Sequence, residues 1–162
     1  MIRTIDDFLK LWSSEKAATL KVFGCLTDES LQQAWPGGRS LERLANHLID
    51  TLTELPAQAG LPLVTAPAHF TTVKGLVTAY EDGADRVAEA VSDNWHDGML
   101  EDEMPMYGES WKNGFSLWAL IAHQAHHRGQ MTVLMRFAGL KVPGVYGPSK
   151  EEWQAYNMAP ME

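Results

Sequence analysis

Residues 115–139 read FSLWALIAHQAHHRGQMTVLMRFAG, and their periodicity predicts one long helix from about Phe115 to Ala138, with Gly139 as its C-cap. At about 100° per residue, His123 and His127 fall roughly 40° apart on this helix. The same narrow face carries Leu120, Met131, Leu134 and Ala138, so both imidazoles point along the stripe that should face a core. His126 is rotated about 60° from His123 in the other direction, towards Ala119 and Val133. Position therefore favours the i, i+4 pair over the i, i+3 pair. Successive turns lie about 5.4 Å apart, close enough for two rings to converge on one ion.

Upstream, three more long segments show helical spacing. The first runs from about Thr4 to Cys25, with Thr4 and Asp7 spaced as a capping pair and Phe8, Leu11, Trp12 and Leu20 as its apolar stripe. A short helical piece follows Asp28 and ends before the break Trp35-Pro36-Gly37-Gly38. The second long helix opens at Ser40, a good N-cap, and continues to about Leu55, before a loop containing Pro56, Gly60, Pro62 and Pro67. The third starts near Thr71 or Thr72 and reaches about Val91. A polar link, 92–114, with Pro105 and Gly108, has room for short strands or turns. A tail containing proline and glycine, Val142 to Glu162, ends the chain. No repeat or linker divides the sequence, so residues 1–162 read as a single domain. The expected fold class is all-α, a four-helix bundle with a long connection before the last helix and an irregular C-terminal tail.

The second helix supplies a further imidazole. His47 lies at the margin of the stripe Leu41, Leu44, Leu48, Thr51 and Leu55. A lone histidine in such a place is ordinarily a hydrogen-bonded packing residue, and His47 taken alone reads that way. The pair on the fourth helix is harder to reduce to packing, because two buried imidazoles carry two desolvation costs. Three nitrogens from two helices would leave positions open for water or substrate, the arrangement of a catalytic metal. His69 and His96 fall in loop-like surroundings and are expected at the surface.

Bulk properties bound the function. The 162 residues carry 21 acidic and 13 basic side chains, a formal net charge of −8, and no basic stripe offsets it, so nucleic acid is not expected as a partner. A single cysteine, Cys25, permits no internal disulfide and fits a reducing compartment; among Val22, Phe23 and Leu26 it reads as a small buried residue. The N-terminus has charge where a signal peptide needs an apolar core, and the run around 115–122 is too short to cross a bilayer. A cytoplasmic protein with no membrane association follows as the expectation. Gln124 stands where a zincin protease requires a glutamate base, and no histidine has a glutamate three residues before it, as a di-iron bundle would require.

The run His123-Gln124-Ala125-His126-His127-Arg128-Gly129-Gln130, continuing through Leu134, Gly139 and Pro143 to Tyr146-Gly147-Pro148-Ser149 and Trp153, resembles the C-terminal part of the DinB-like (damage-inducible) family. Ser40 to Leu48 is similar to that family's second-helix segment with its metal-binding histidine. The resemblance implies a four-helix bundle with an unusual connection, often a homodimer, binding nickel or zinc. Matched residue by residue, the implied ligands are His47, His123 and His127. The family includes thiol-dependent transferases and isomerases that use a low-molecular-weight thiol. Being small and acidic, the chain is not the lesion-bypass polymerase that shares the family's name.

Such a metal could lower the pKa of a thiol or a water and act on a small-molecule substrate, with thiol transfer favoured and hydrolysis or plain metal binding as alternatives. No general base is identifiable; the candidates for a catalytic role are Gln130, about 20° from His123 on the helix, which could orient a ligand or contact substrate, and His126, a flank residue placed for a hydrogen bond or substrate contact. Asn46 and Asp50 are candidate partners for His47, with solvent contact as their ordinary role. Arg128 reads as a surface salt bridge, or as an anion site. The pocket's shape is expected to be set by the third-to-fourth connection and the tail.

Overall fold

A computed structural model describes residues 2–64 and 68–160, so Pro67 of the predicted loop and the last two tail residues lie outside the described residues. Four long helices account for most of it: α1 (Ile5–Phe23), α2 (Leu41–Gln58), α3 (Val73–Asn94) and α4 (Asn113–Phe137). Each of the first three begins at the residue that the capping logic requires. Thr4 accepts from the Asp7 amide at 3.0 Å, Ser40 from Arg43 at 3.1 Å and Thr72 from Gly75 at 3.2 Å, each satisfying one orphan donor. At the far end, Gly139 takes φ +70° and the Leu140 amide bonds the Met135 carbonyl at 2.9 Å, closing α4.

Some boundaries move. Pro56 lies inside α2 rather than ending it. It forfeits one amide donor in the last turn, where the ladder is about to stop, and Ala59 to Leu55 (3.1 Å) and Leu61 to Pro56 (3.0 Å) close the end. The link before α4 folds as a 3-10 turn (Asp97–Glu101) and an antiparallel hairpin, β1 (Glu103–Met106) with β2 (Glu109–Lys112). Its two turn residues, Tyr107 and Gly108, have φ of 50° and 85°, the doubly left-handed turn that suits a two-residue hairpin. The sheet is a minor addition to a helical bundle.

α1 packs on α3 and α4, and so does α2, which puts α1 and α2 at opposite corners. The core between them is built from Phe8, Trp12, Leu48, Leu52, Leu76, Tyr80, Leu117 and Met131, all with at most 2% of their surface exposed. The Trp12 indole donates to the Ala84 carbonyl at 2.8 Å, pinning α1 to α3. Leu11, expected on the α1 stripe, is 47% exposed, because only Phe8 and Trp12 on that turn reach the interior. Cys25 is half-buried against the core. No helix among the described residues is long and apolar enough to cross a membrane.

Candidate metal centre

Because α2 and α4 are neighbours, their inward histidines meet. One ring nitrogen from each of His47, His123 and His127 can be chosen so that all three lie within 4.8 Å of one another. The ring centroids are 4.4–5.0 Å apart, with the planes steeply inclined to one another. His127 is buried and the other two are half-buried.

The donor set fits a divalent ion. Nε2 of His123 and Nε2 of His127 are 3.1 Å apart. Two nitrogens each about 2.0–2.1 Å from zinc at a tetrahedral angle would be roughly 3.3 Å apart. Nδ1 of His127 lies 2.7 Å from Gln130 Oε1. An amide oxygen only accepts, so the proton sits on Nδ1 and the lone pair on Nε2 faces the cluster. His123 Nδ1 is buried without a hydrogen-bond partner, a polar atom that the protein leaves unsatisfied.

Electrostatics keep the rings neutral. Burial is the largest cause pushing His47 and His123 down to about 4, followed by the neighbouring imidazoles and the cations Arg39 and Arg43 around His47 and Arg39 near His123. Burial also lowers His127, against the opposing pull of its bond to Gln130. At neutral pH each ring is therefore uncharged and keeps one nitrogen lone pair able to take a metal ion.

The residues flanking the ligands are bolted to the rest of the bundle. Gln124, fully buried, accepts from the Tyr80 hydroxyl at 3.1 Å and donates to the Leu48 carbonyl at 3.0 Å and to Thr51 Oγ1 at 3.1 Å. Burial pushes the Tyr80 phenol up to about 12, so it remains a donor. Arg128 is not a surface residue. It is 1% exposed, paired with the Glu15 carboxylate, donating to Thr19 Oγ1 at 2.8 Å and bonded to the Tyr146 hydroxyl. With its charge already neutralised inside the bundle, it is not available to an anionic ligand.

Asn46 likewise departs from the sequence expectation. It is 1% exposed and brackets Phe70, accepting from its amide (2.8 Å) and donating to its carbonyl (2.9 Å), which fastens the loop ahead of α3. Asp50 makes no hydrogen bond to His47 among the described residues. Gln130 and His126 are exposed, and their side chains meet at 3.2 Å, so a relay runs His126–Gln130–His127. His69 and His96 are at the surface as expected, His69 beside Glu42 at 2.8 Å.

A cleft of about 520 Å³ opens beside His127 and Gln130, walled by Trp35, Arg39, Leu44, Val133 and Leu134. Its outer wall comes from the α1–α2 connection, not from the hairpin or the tail as expected. Trp35 and Arg39 sit in a stretch whose glycines and proline read as a simple break, and nothing in its periodicity marks them as lining.

Over residues 1–161 the sequence matches the DinB family. The chain belongs to that family. Among its relatives is the uncharacterized protein YrdA of Bacillus subtilis (strain 168), 40% identical over 163 residues that cover 98% of this chain and 97% of YrdA. A DinB-like protein from Bacillus cereus ATCC 10987, known from a crystal structure, is 39% identical with a TM-score of 0.83, covering 90% of this chain and all of that one. YfiT from Bacillus subtilis is described as a probable metal-dependent hydrolase with an unusual four-helix bundle topology. It covers 83% of this chain and 87% of its own at a TM-score of 0.65, and at 17% identity it shares the DinB bundle alone.

Proposed function

We propose that this DinB-family protein is a metal-dependent enzyme whose His47, His123 and His127 hold one divalent ion, nickel or zinc. The observation that carries this reading is the meeting of ring nitrogens from three imidazoles on two helices, with an open cleft beside them. A divalent ion there would supply Lewis acidity, lowering the pKa of a thiol or a water that shares the site.

The chain's own residues would do the rest. Gln130 holds the His127 tautomer, and His126 stands one hydrogen bond further out at the rim. Trp35, Leu44, Val133 and Leu134 offer apolar surface to the body of a small substrate, and the Arg39 cation lies along the same wall. The cluster consists of three histidines with no carboxylate among its members. That favours a low-molecular-weight thiol as nucleophile, since a thiol ionises near pH 8.5 and needs little help from a base. Its sulfur forms a bond to an electrophilic carbon, the leaving group departs with the electron pair, and the thiol proton passes to water in the cleft. Hydrolysis is the second reading, supported by the description of YfiT.

Metal-loaded protein screened with a panel of thiols and carbon electrophiles tests this, with His47→Ala and His123→Ala as controls. Thiol-dependent product formation lost in both variants is the expected result. Turnover that needs only water selects hydrolysis, and product formed equally by the variants removes the metal from the reaction.

A further inference from the structure

One wall of the histidine cleft belongs to neither α2 nor α4. The segment from Gln33 to Leu41 folds back on itself: the Leu41 amide bonds the Gln33 carbonyl at 2.9 Å, and Ala34 pairs with Ser40. At its tip the Gly38 amide bonds the Trp35 carbonyl at 2.8 Å, with Pro36 first inside the turn and Gly37 at φ +76°. This is the type II pattern, in which proline fixes one angle and glycine supplies the left-handed one. A Cβ at Gly38 would lie 3.3 Å from the Cβ of Trp35, so glycine leaves the indole its room. Trp35 also packs on Phe137 of α4, ring centroids 5.4 Å apart. The wall is thus assembled by the chain's own contacts, before any ligand arrives.

What the cleft presents is chemically one-sided. Trp35 is 57% exposed and offers an indole face, and Leu44, Val133 and Leu134 continue the apolar surface. Arg39 stands on the return side of the turn. Among the described residues, no other arginine or lysine lines the cleft, and no carboxylate does. Arg3, Arg128 and Arg136 each pair with a carboxylate of the chain, whereas none of the described ones comes within 4.0 Å of Arg39. An exposed arginine is ordinarily satisfied by water alone. This one shares a cleft of about 520 Å³ with an exposed indole, inside the range of roughly 300–1,000 Å³ that small-molecule sites occupy.

We infer that the cleft selects organic acids, with the substrate's carboxylate on the Arg39 guanidinium and its flat apolar body between Trp35 and Val133. The inference rests on the reading of the site as one for a small substrate, and it names the class. The guanidinium fork matches a carboxylate through two parallel hydrogen bonds, and an indole face suits an aryl or other planar group. A cationic molecule would find no countercharge on these walls, and a neutral one would leave Arg39 unused. Arg128 is buried and paired with Glu15, so it cannot take this part. Arg39 acts on binding and selectivity, by holding one end of the substrate beside His127 and Gln130.

Two probes that differ only in charge test this, para-(trifluoromethyl)phenylacetate and its amide, with binding read by fluorine NMR line broadening. Chelated, metal-free protein at about pH 7.5 is used, so that the probe's carboxylate is ionised and no ion competes for it. The acid should bind at least about 5-fold tighter than the amide. Arg39→Gln, at an exposed position, should keep the helical circular dichroism and abolish the difference, while Arg39→Lys should retain part of it. Trp35→Ala should weaken acid and amide alike. Equal binding of the two probes, no binding of the acid, or a preference that survives Arg39→Gln would each overturn the inference. A chain that keeps the preference but takes up no metal would sink the proposed reaction alone. One that takes up metal without the preference would sink only this inference.

Discussion

Gln130 Oε1 accepts the Nδ1 proton of His127 at 2.7 Å, and this bond decides which nitrogen of His127 faces the other two histidines. Gln130→Leu should weaken metal affinity about 10- to 100-fold, the usual cost of losing an outer partner of a ligating histidine. Gln130→Glu keeps the acceptor and should retain or tighten binding. Competition against a coloured chelator reads both, and equal affinity in the leucine variant would remove Gln130 from the site.

The ligands themselves should be far less forgiving. Protein purified without added metal is expected to carry about one divalent ion per chain by elemental analysis. Single substitutions His47→Ala, His123→Ala and His127→Ala should each weaken binding beyond the 10- to 100-fold range of outer partners. A His69→Ala control, which alters a surface histidine beside Glu42, should leave the metal in place.

Proton linkage gives a third expectation, read on chelated, metal-free protein. His47 and His123 are pushed down to about 4 in the folded state, against about 6.5 when unfolded. Between those values the unfolded chain binds more protons, so stability rises with pH. The contribution should be complete above about pH 6.5 and disappear as pH falls towards 4. Urea midpoints at pH 7 and pH 5 measure the difference, and it should shrink in His47→Gln and His123→Gln. An unchanged difference in both variants would assign the pH effect to other groups.

Arg128 and Glu15 form a buried ion pair between α4 and α1, with Tyr146 of the tail bonded to both. Removing one member leaves an uncompensated buried charge, which costs on the order of 3–5 kcal/mol. Arg128→Ala should therefore lower the melting temperature steeply. Arg128→Met with Glu15→Leu should recover much of the loss. Thermal unfolding of the single and double variants makes the comparison.

Much of the bundle is legible because caps and periodicity act locally. Thr4, Ser40, Thr72 and Gly139 stand where they end helices, and His123 with His127 can be read from a four-residue spacing. What escapes depends on partners distant in sequence. Arg128 looks solvent-facing until α1, 113 residues away, supplies its carboxylate. Asn46 looks ordinary until Phe70 closes on it. Trp35 and Arg39 have no period to betray them, since a wall built from a loop leaves no repeating pattern.

Gln124 joins α4 to the backbone of α2 and to Tyr80 of α3 in the turn that presents His123. The spacing between the ligand-bearing helices is thus set by an amide and a phenol, whatever ion is bound. Loading and release should then proceed by exchange into a preformed cage, without local unfolding. A pool of free metal would fill this protein according to its supply, and stripping it would leave an intact vessel ready for another cation.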